Sequence, residues 1–142
     1  MAAESTTWDT REIAVRCAAA PAALVRVHEA IALLWQRTCP APAHDWRRRF
    51  ELAVAEVAAN IIEHARPAEI SLRLHVAPEW VSAEFGDDGL RCECPPPPAG
   101  AAGGERGLAE RGRGLWLVRI AVDEIRYERD GGLNRWRLVK WL

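Results

Sequence analysis

Lysine and serine are scarce in this chain of 142 residues, and their scarcity excludes several catalytic classes. Lys140 is the only lysine. A P-loop needs a lysine beside its glycines, so that class of nucleotide site is excluded, and Schiff-base chemistry loses its candidate. The serines are Ser5, Ser71 and Ser82, and none lies in a G-x-S-x-G elbow, which argues against Ser-His-Asp hydrolysis.

Long apolar runs and targeting signals are also missing. No run approaches the roughly 20 residues that span a bilayer, and the N-terminal MAAESTTWDTRE has neither a basic start nor an apolar core. We therefore expect a cytoplasmic protein that does not bind membranes. The 19 basic side chains nearly balance the 20 acidic ones, so the net charge provides no electrostatic footprint for nucleic acid.

The usual metal-binding spacings of cysteine and histidine are absent as well. The chain has four cysteines and four histidines, but no C-x-x-C pair and no H-E-x-x-H motif. We interpret the cysteines as reduced thiols. A metal or redox role for Cys92 and Cys94 is the alternative.

The composition, with 49% hydrophobic and 27% charged residues, is that of one folded domain over residues 1–142. Residues 1–10 are expected to form a loose leader. Periodicity and turn residues predict strands over 11–17, 68–77, 80–85, 124–129 and 135–142, and helices over 21–38, 45–65 and 114–122. These elements predict an α/β two-layer sandwich, with three main helices on one face of an about five-stranded mixed, mostly antiparallel sheet.

The second predicted helix carries two polar residues in the otherwise apolar stretch FELAVAEVAANIIEHA. Glu56 and Asn60 are four residues apart, so they project from one helix face at a separation of about 5–6 Å. A carboxylate that orients a hydroxyl or water and an amide oxygen that binds a hard cation suit Mg²⁺-phosphate chemistry. The alternative is that both residues simply face solvent on a surface helix.

Two glycine-containing stretches complete the set of candidate residues. GDDG (86–89) ends a predicted strand, where Asp87 can accept a hydrogen bond from an exocyclic amine and Gly89 can let a flat base lie close. RGRGL (111–115) begins the last predicted helix, whose open N–H groups favour an anion. Each stretch also has a simpler explanation, an Asp-Gly turn and a glycine-punctuated helix start respectively.

Taken together and in order, these three stretches resemble the N-box, G1 box and G2 box of the GHKL ATPase superfamily, which has the Bergerat fold. The closer similarity is to anti-sigma-factor serine kinases of the RsbW/SpoIIAB type. LAVAEVAANIIEHA resembles their E-x-x-x-N-x-x-x-H helix, FGDDGL their D-x-G motif, and residues 111–142 their C-terminal third. The resemblance covers about residues 10–142.

The resemblance implies a role for each matching residue of the first two motifs. Glu56 would be the general base, or the group that orients the attacking hydroxyl. Asn60 would bind the Mg²⁺ that bridges the phosphates of ATP. Asp87 would receive the N6 amine of adenine, and Gly89 would give the base room.

The resemblance also implies a lid and a phosphate-binding end. Residues 90–112 would form the mobile ATP lid. Gly112 and Gly114 would form its phosphate-facing end, and Arg111 or Arg113 would reach the β- and γ-phosphates.

Members of the resembling family transfer the γ-phosphoryl group of ATP to a serine of a partner. That partner is a STAS-type anti-anti-sigma factor, and the kinases also sequester a sigma factor, usually as homodimers. The resemblance therefore implies an ATP-dependent serine/threonine kinase with these two partners.

Two other functions remain open. The predicted lid begins with the unusual RCECPPPP, and the threonine that other superfamily members place near adenine in a late strand has no obvious counterpart in NRWRLVKWL. Both departures favour a partner-switch binding module with weak or absent catalysis. Tryptophans interleaved with arginines in residues 135–141 could bind single-stranded nucleic acid, but alternation in a half-buried strand explains the same pattern, and we expect no direct nucleic-acid binding.

Overall fold

The computed structural model describes residues 5–8, 12–93 and 113–142 of the chain. The strands are β1 (Ser5–Trp8), β2 (Glu12–Ala18), β3 (Glu69–Val76), β4 (Trp80–Asp87), β5 (Glu124–Asp130) and β6 (Leu133–Trp141). The helices are α1 (Ala23–Gln36), α2 (His44–Asn60) and α3 (Arg113–Ala121). A π-helical turn, Ile61–Ala65, continues α2 directly, so the helix predicted over 45–65 changes its hydrogen-bonding pattern in its last five residues.

The strands form one sheet in the order β1-β2-β3-β4-β6-β5. The predicted α/β two-layer sandwich is confirmed, but two details differ from the expectation. Every strand pairing among the described residues is antiparallel, so the sheet is not mixed in this part of the chain. The described residues also form six strands rather than about five, because Ser5–Trp8, expected to belong to a loose leader, pairs with β2 as an edge strand.

The two faces of the sheet differ in polarity because side chains alternate along each strand. Leu72, Phe85 and Trp136 form one buried row across β3, β4 and β6. The neighbouring row on the other face contains charged residues such as Arg73 and Glu84. The helices cover the apolar face, with α1 on β2 and β3, α2 on β6, and α3 between α2 and β5.

The C-terminal hairpin has the predicted two-residue turn. Gly131 and Gly132 connect β5 to β6 with φ angles of +56° and +79°. Positive φ at both positions is typical of the turn that matches the twist of a hairpin, and glycine adopts it without steric cost. This turn sets the register between β5 and β6.

The helices among the described residues give no sign of a bilayer-spanning segment, because none combines sufficient length with sufficient hydrophobicity.

Candidate functional site

A cavity of about 270 Å³ lies where the end of α2, the β5–β6 hairpin and the chain beyond β4 meet. Its walls include polar side chains from all three regions, among them Asn60, His64, Arg66, Tyr127 and Asn134. Leu90 and Leu115 contribute apolar side chains to the wall of the cavity. The cavity therefore combines apolar wall with polar groups that can orient a ligand.

Glu56 and Asn60 lie one helical turn apart on α2, and both are half-buried. Asn60 lines the cavity. A Cβ atom added to Gly114 would lie 2.8 Å from Oε2 of Glu56, so the Glu56 carboxylate lies against the first turn of α3.

Asp87 is the last residue of β4 and is only 5% exposed. It has the same parity along the strand as buried Phe85, so it points to the helix-covered face. Its Oδ1 accepts hydrogen bonds from the Gly89 N–H (2.8 Å) and from Asn134 Nδ2 (2.9 Å). Its Oδ2 is buried and has no hydrogen-bond partner in the part of the chain that the structure describes, and a carboxylate oxygen in that state is costly unless a ligand donates to it.

Gly89 lies against the π-helical turn that follows α2. A Cβ atom at this position would lie 2.4 Å from the carbonyl oxygen of Ala65, and the N–H of Leu90 donates to the same oxygen at 2.8 Å. A glycine is therefore needed for β4 to leave the sheet in contact with the end of α2. This close approach forms one corner of the cavity.

Asn134 is a candidate site residue that the sequence motifs do not include. It lies opposite Asp87 in the β4–β6 register, is 2% exposed and lines the cavity. The position is near the place where a late-strand threonine was expected and not found. The signal in the sequence is that Asn134 has the same strand parity as Trp136 and Leu138, which makes it a polar residue directed toward the core.

The structure brings most of the described candidate residues to one place. Asn60 lines the cavity, Glu56 and Gly114 adjoin it through α2 and α3, and Asp87 lies directly behind Asn134 rather than on the wall itself.

Several candidates of the predicted lid lie outside the described residues. These are Arg111, Gly112, the side chain of Arg113 and the part of the lid over 94–112. The described start of the lid is bonded to the domain, because the N–H of Cys92 donates to the Tyr127 hydroxyl at 2.9 Å. Within the described part of the chain, His, Cys, Asp and Glu side chains form no group of three that could hold a metal ion. The alternative metal or redox role of Cys92 and Cys94 stays a prediction, because Cys94 lies outside the described residues.

Comparison with known families agrees with this arrangement. A family model described as the histidine kinase-like ATPase domain matches residues 17–140, which span β2 to β6 and include every candidate site residue. A search of curated proteins finds no match. Domains of the matched family bind ATP. Since the match covers most of the chain, this protein belongs to the histidine kinase-like ATPase domain family.

Proposed function

We propose that this domain is an ATP-dependent protein serine/threonine kinase of the partner-switching type. Its phosphate acceptor would be a STAS-type anti-anti-sigma factor, and as a homodimer it would sequester a sigma factor. The observation that carries the kinase proposal is the position of Glu56, one turn from Asn60 and against Gly114. That position places a carboxylate beside the residues that would hold the phosphates.

ATP fits the polar groups at the Asp87 end of the site. The partnerless Oδ2 of Asp87 is a buried acceptor that needs a donor, and the exocyclic amine of adenine is a donor. A guanine presents a carbonyl oxygen at the same ring position, which cannot donate. These properties support adenine as the base.

Mg²⁺ fits the Asn60 end. The side-chain oxygen of Asn60 is a hard ligand, and Mg²⁺ is usually held by one or two protein oxygens together with phosphates and water. When bound, the cation would neutralise phosphate charge during transfer.

The protein's own contribution to transfer would be positioning and proton acceptance. The γ-phosphorus forms a bond to the serine oxygen of the partner as its bond to the bridging oxygen of ADP breaks. Glu56 orients the serine hydroxyl and accepts its proton. Gly112 and Gly114 would offer backbone N–H groups to the phosphates, and Arg111 or Arg113 would add charge.

A transfer assay with radiolabelled ATP and STAS proteins from the same genome tests this proposal. Wild-type protein is expected to label a STAS serine. The Glu56→Gln variant should keep ATP binding but lose roughly 100-fold or more of the transfer rate, because it lacks the proton acceptor. Glu79→Gln, an exposed carboxylate in the β3–β4 turn, is the matched control and should transfer at the wild-type rate.

Two outcomes would contradict the proposal. If the Glu56→Gln variant transfers the phosphoryl group at the wild-type rate, Glu56 has no role in catalysis. Tight binding of a STAS partner by wild-type protein with ATP, but without any labelling, would instead identify the domain as a partner-switch binding module.

A further inference from the structure

A chain of directed hydrogen bonds connects the hairpin to the Asp87 carboxylate. The N–H of Cys92 donates to the Tyr127 hydroxyl, and that hydroxyl donates to Oδ1 of Asn134 at 2.5 Å. Asn134 Nδ2 in turn donates to Oδ1 of Asp87 at 2.9 Å. All donors point the same way, so each bond polarises the next, and the chain ends on a buried carboxylate.

The amide of Asn134 is held in one orientation by its partners. Its Oδ1 also accepts from Arg129 Nη1 at 2.8 Å, and its Nδ2 also donates to the carbonyl oxygen of Leu90 at 2.8 Å. Rotation of the amide by 180° would place its oxygen against the oxygens of Asp87 and Leu90. Nδ2 is also 3.3 Å from the carbonyl oxygen of Gly89, so five hydrogen bonds oppose that rotation, and nearly complete burial removes water as a substitute.

The same bonds fix which oxygen of Asp87 is left open. The Gly89 N–H and Asn134 Nδ2 both donate to Oδ1, so exchanging the two carboxylate oxygens would require both bonds to break. Among the described residues, Oδ2 is consequently the acceptor of this side chain that has no donor.

We propose that Asn134 is a positioning residue that sets base selectivity by locking the Asp87 carboxylate, with Tyr127 and Arg129 holding Asn134 in place. Asn134 acts through Asp87, to which it is hydrogen-bonded, and Oδ2 of Asp87 is the acceptor that an amine at the 6-position of a purine would reach. Without the lock, the carboxylate can rotate, and its preference for that amine weakens. The inference rests on ATP binding by the domain and does not depend on protein kinase activity.

Calorimetric titration of the 142-residue chain with ATP and with purine riboside triphosphate, which lacks the 6-amine, tests this role. Loss of a hydrogen bond to a charged group predicts that wild-type protein prefers ATP by about tenfold or more. In Asn134→Ala the ratio of the two affinities should fall to about twofold, because the amine loses a fixed acceptor. Tyr127→Phe keeps the ring contact with Trp136 and removes only the hydroxyl, so its ratio should fall between those values.

The ratio of the affinities for ATP and for purine riboside triphosphate distinguishes a positioning role of Asn134 from a purely structural role. Ser82→Ala, which removes another buried polar group of β4 outside the cavity, is the control and should keep the wild-type ratio. A wild-type ratio in Asn134→Ala, accompanied by a lower unfolding temperature, would show a purely structural role and overturn the proposal. If Asn134→Ala does not fold, an unchanged ratio in Tyr127→Phe overturns it instead. Equal affinity of the wild-type protein for both nucleotides would also overturn the proposal.

Discussion

Gly114 and Glu56 are so close that a methyl group on Gly114 would lie 2.8 Å from Oε2 of Glu56. The two residues are 58 positions apart in the sequence, on α3 and α2. Because Gly114 has no side chain, the Glu56 carboxylate can lie in the space that a side chain at position 114 would fill. This relationship separates the effect of a substitution on stability from its effect on activity.

Gly114→Ala should impair transfer without destabilising the fold. Alanine favours a helix over glycine by about 0.5–1 kcal/mol, and the atom it meets is the movable end of a glutamate. The carboxylate must move away, so we expect the transfer rate to fall by roughly 100-fold, the range of a lost general base. Thermal unfolding and the labelling assay check the two parts. Full activity would mean that the position of Glu56 is not critical.

Gly89→Ala should have the opposite effect on stability. Its Cβ would meet the backbone of Ala65 at 2.4 Å, and backbone atoms cannot turn aside as a side chain can. We expect a loss of about 1–3 kcal/mol in the free energy of unfolding, the usual cost of overpacking. Denaturant titration of this variant beside Gly114→Ala measures the contrast. Equal stability of the two variants would contradict the close contact between β4 and the π-helical turn.

Asp87→Asn should weaken ATP binding while leaving the fold intact. The asparagine oxygen can keep the two hydrogen bonds that Oδ1 accepts, and a buried negative charge disappears. Its amide nitrogen would then face the adenine amine, donor against donor. We expect ATP affinity to fall by about tenfold or more and the unfolding free energy to stay the same or rise. Unchanged affinity in a calorimetric titration would remove Asp87 as the base contact.

Lys140, the only lysine, provides a prediction on pH. Its Nζ donates to the Ala121 carbonyl oxygen at 2.8 Å and lies 5.5 Å from the Trp46 ring. Burial lowers the pKa of Lys140 below its ordinary value of 10.5, and nearby Arg49 lowers it further, whereas Asp123 acts in the opposite direction. The folded state therefore loses this proton at a lower pH than the unfolded state does.

The sign of the pH effect on the free energy of unfolding follows from the lower pKa of Lys140 in the folded state. In the window just below pH 10.5 the unfolded chain binds more protons at this site, so stability rises with pH. The unfolding free energy of wild-type protein minus that of Lys140→Met should increase as pH approaches 10.5. Denaturant titrations across that range measure this difference. The cysteines and Tyr127 are present in both proteins, so their contributions to the pH dependence cancel. A difference that falls with pH would contradict the lowered pKa.

Most of the fold could be predicted from local patterns in the sequence. Alternating apolar residues predicted β2 to β6 to within a few residues, and the Gly131-Gly132 pair predicted the hairpin. The short β1 was missed because Ser5–Trp8 has no apolar alternation, and its strand conformation comes from pairing with β2.

The candidate site was predicted in part. Glu56 and Asn60 could be placed together because their spacing equals one helical turn, which α2 confirms. Asn134 could not be placed, since its role arises from lying opposite Asp87 in β4–β6 pairing. A strand register between distant segments cannot be derived from either segment alone.

From its residues alone, the chain specifies where helices and strands form and which of their faces are apolar, because those properties depend on spacings of two to four positions. Three contacts of the candidate site arise only on folding, namely Gly114 with Glu56, Gly89 with Ala65 and Asn134 with Asp87. They depend on strand order, register and helix packing. These are collective properties of many weak contacts, and they bring together groups that are far apart along the chain.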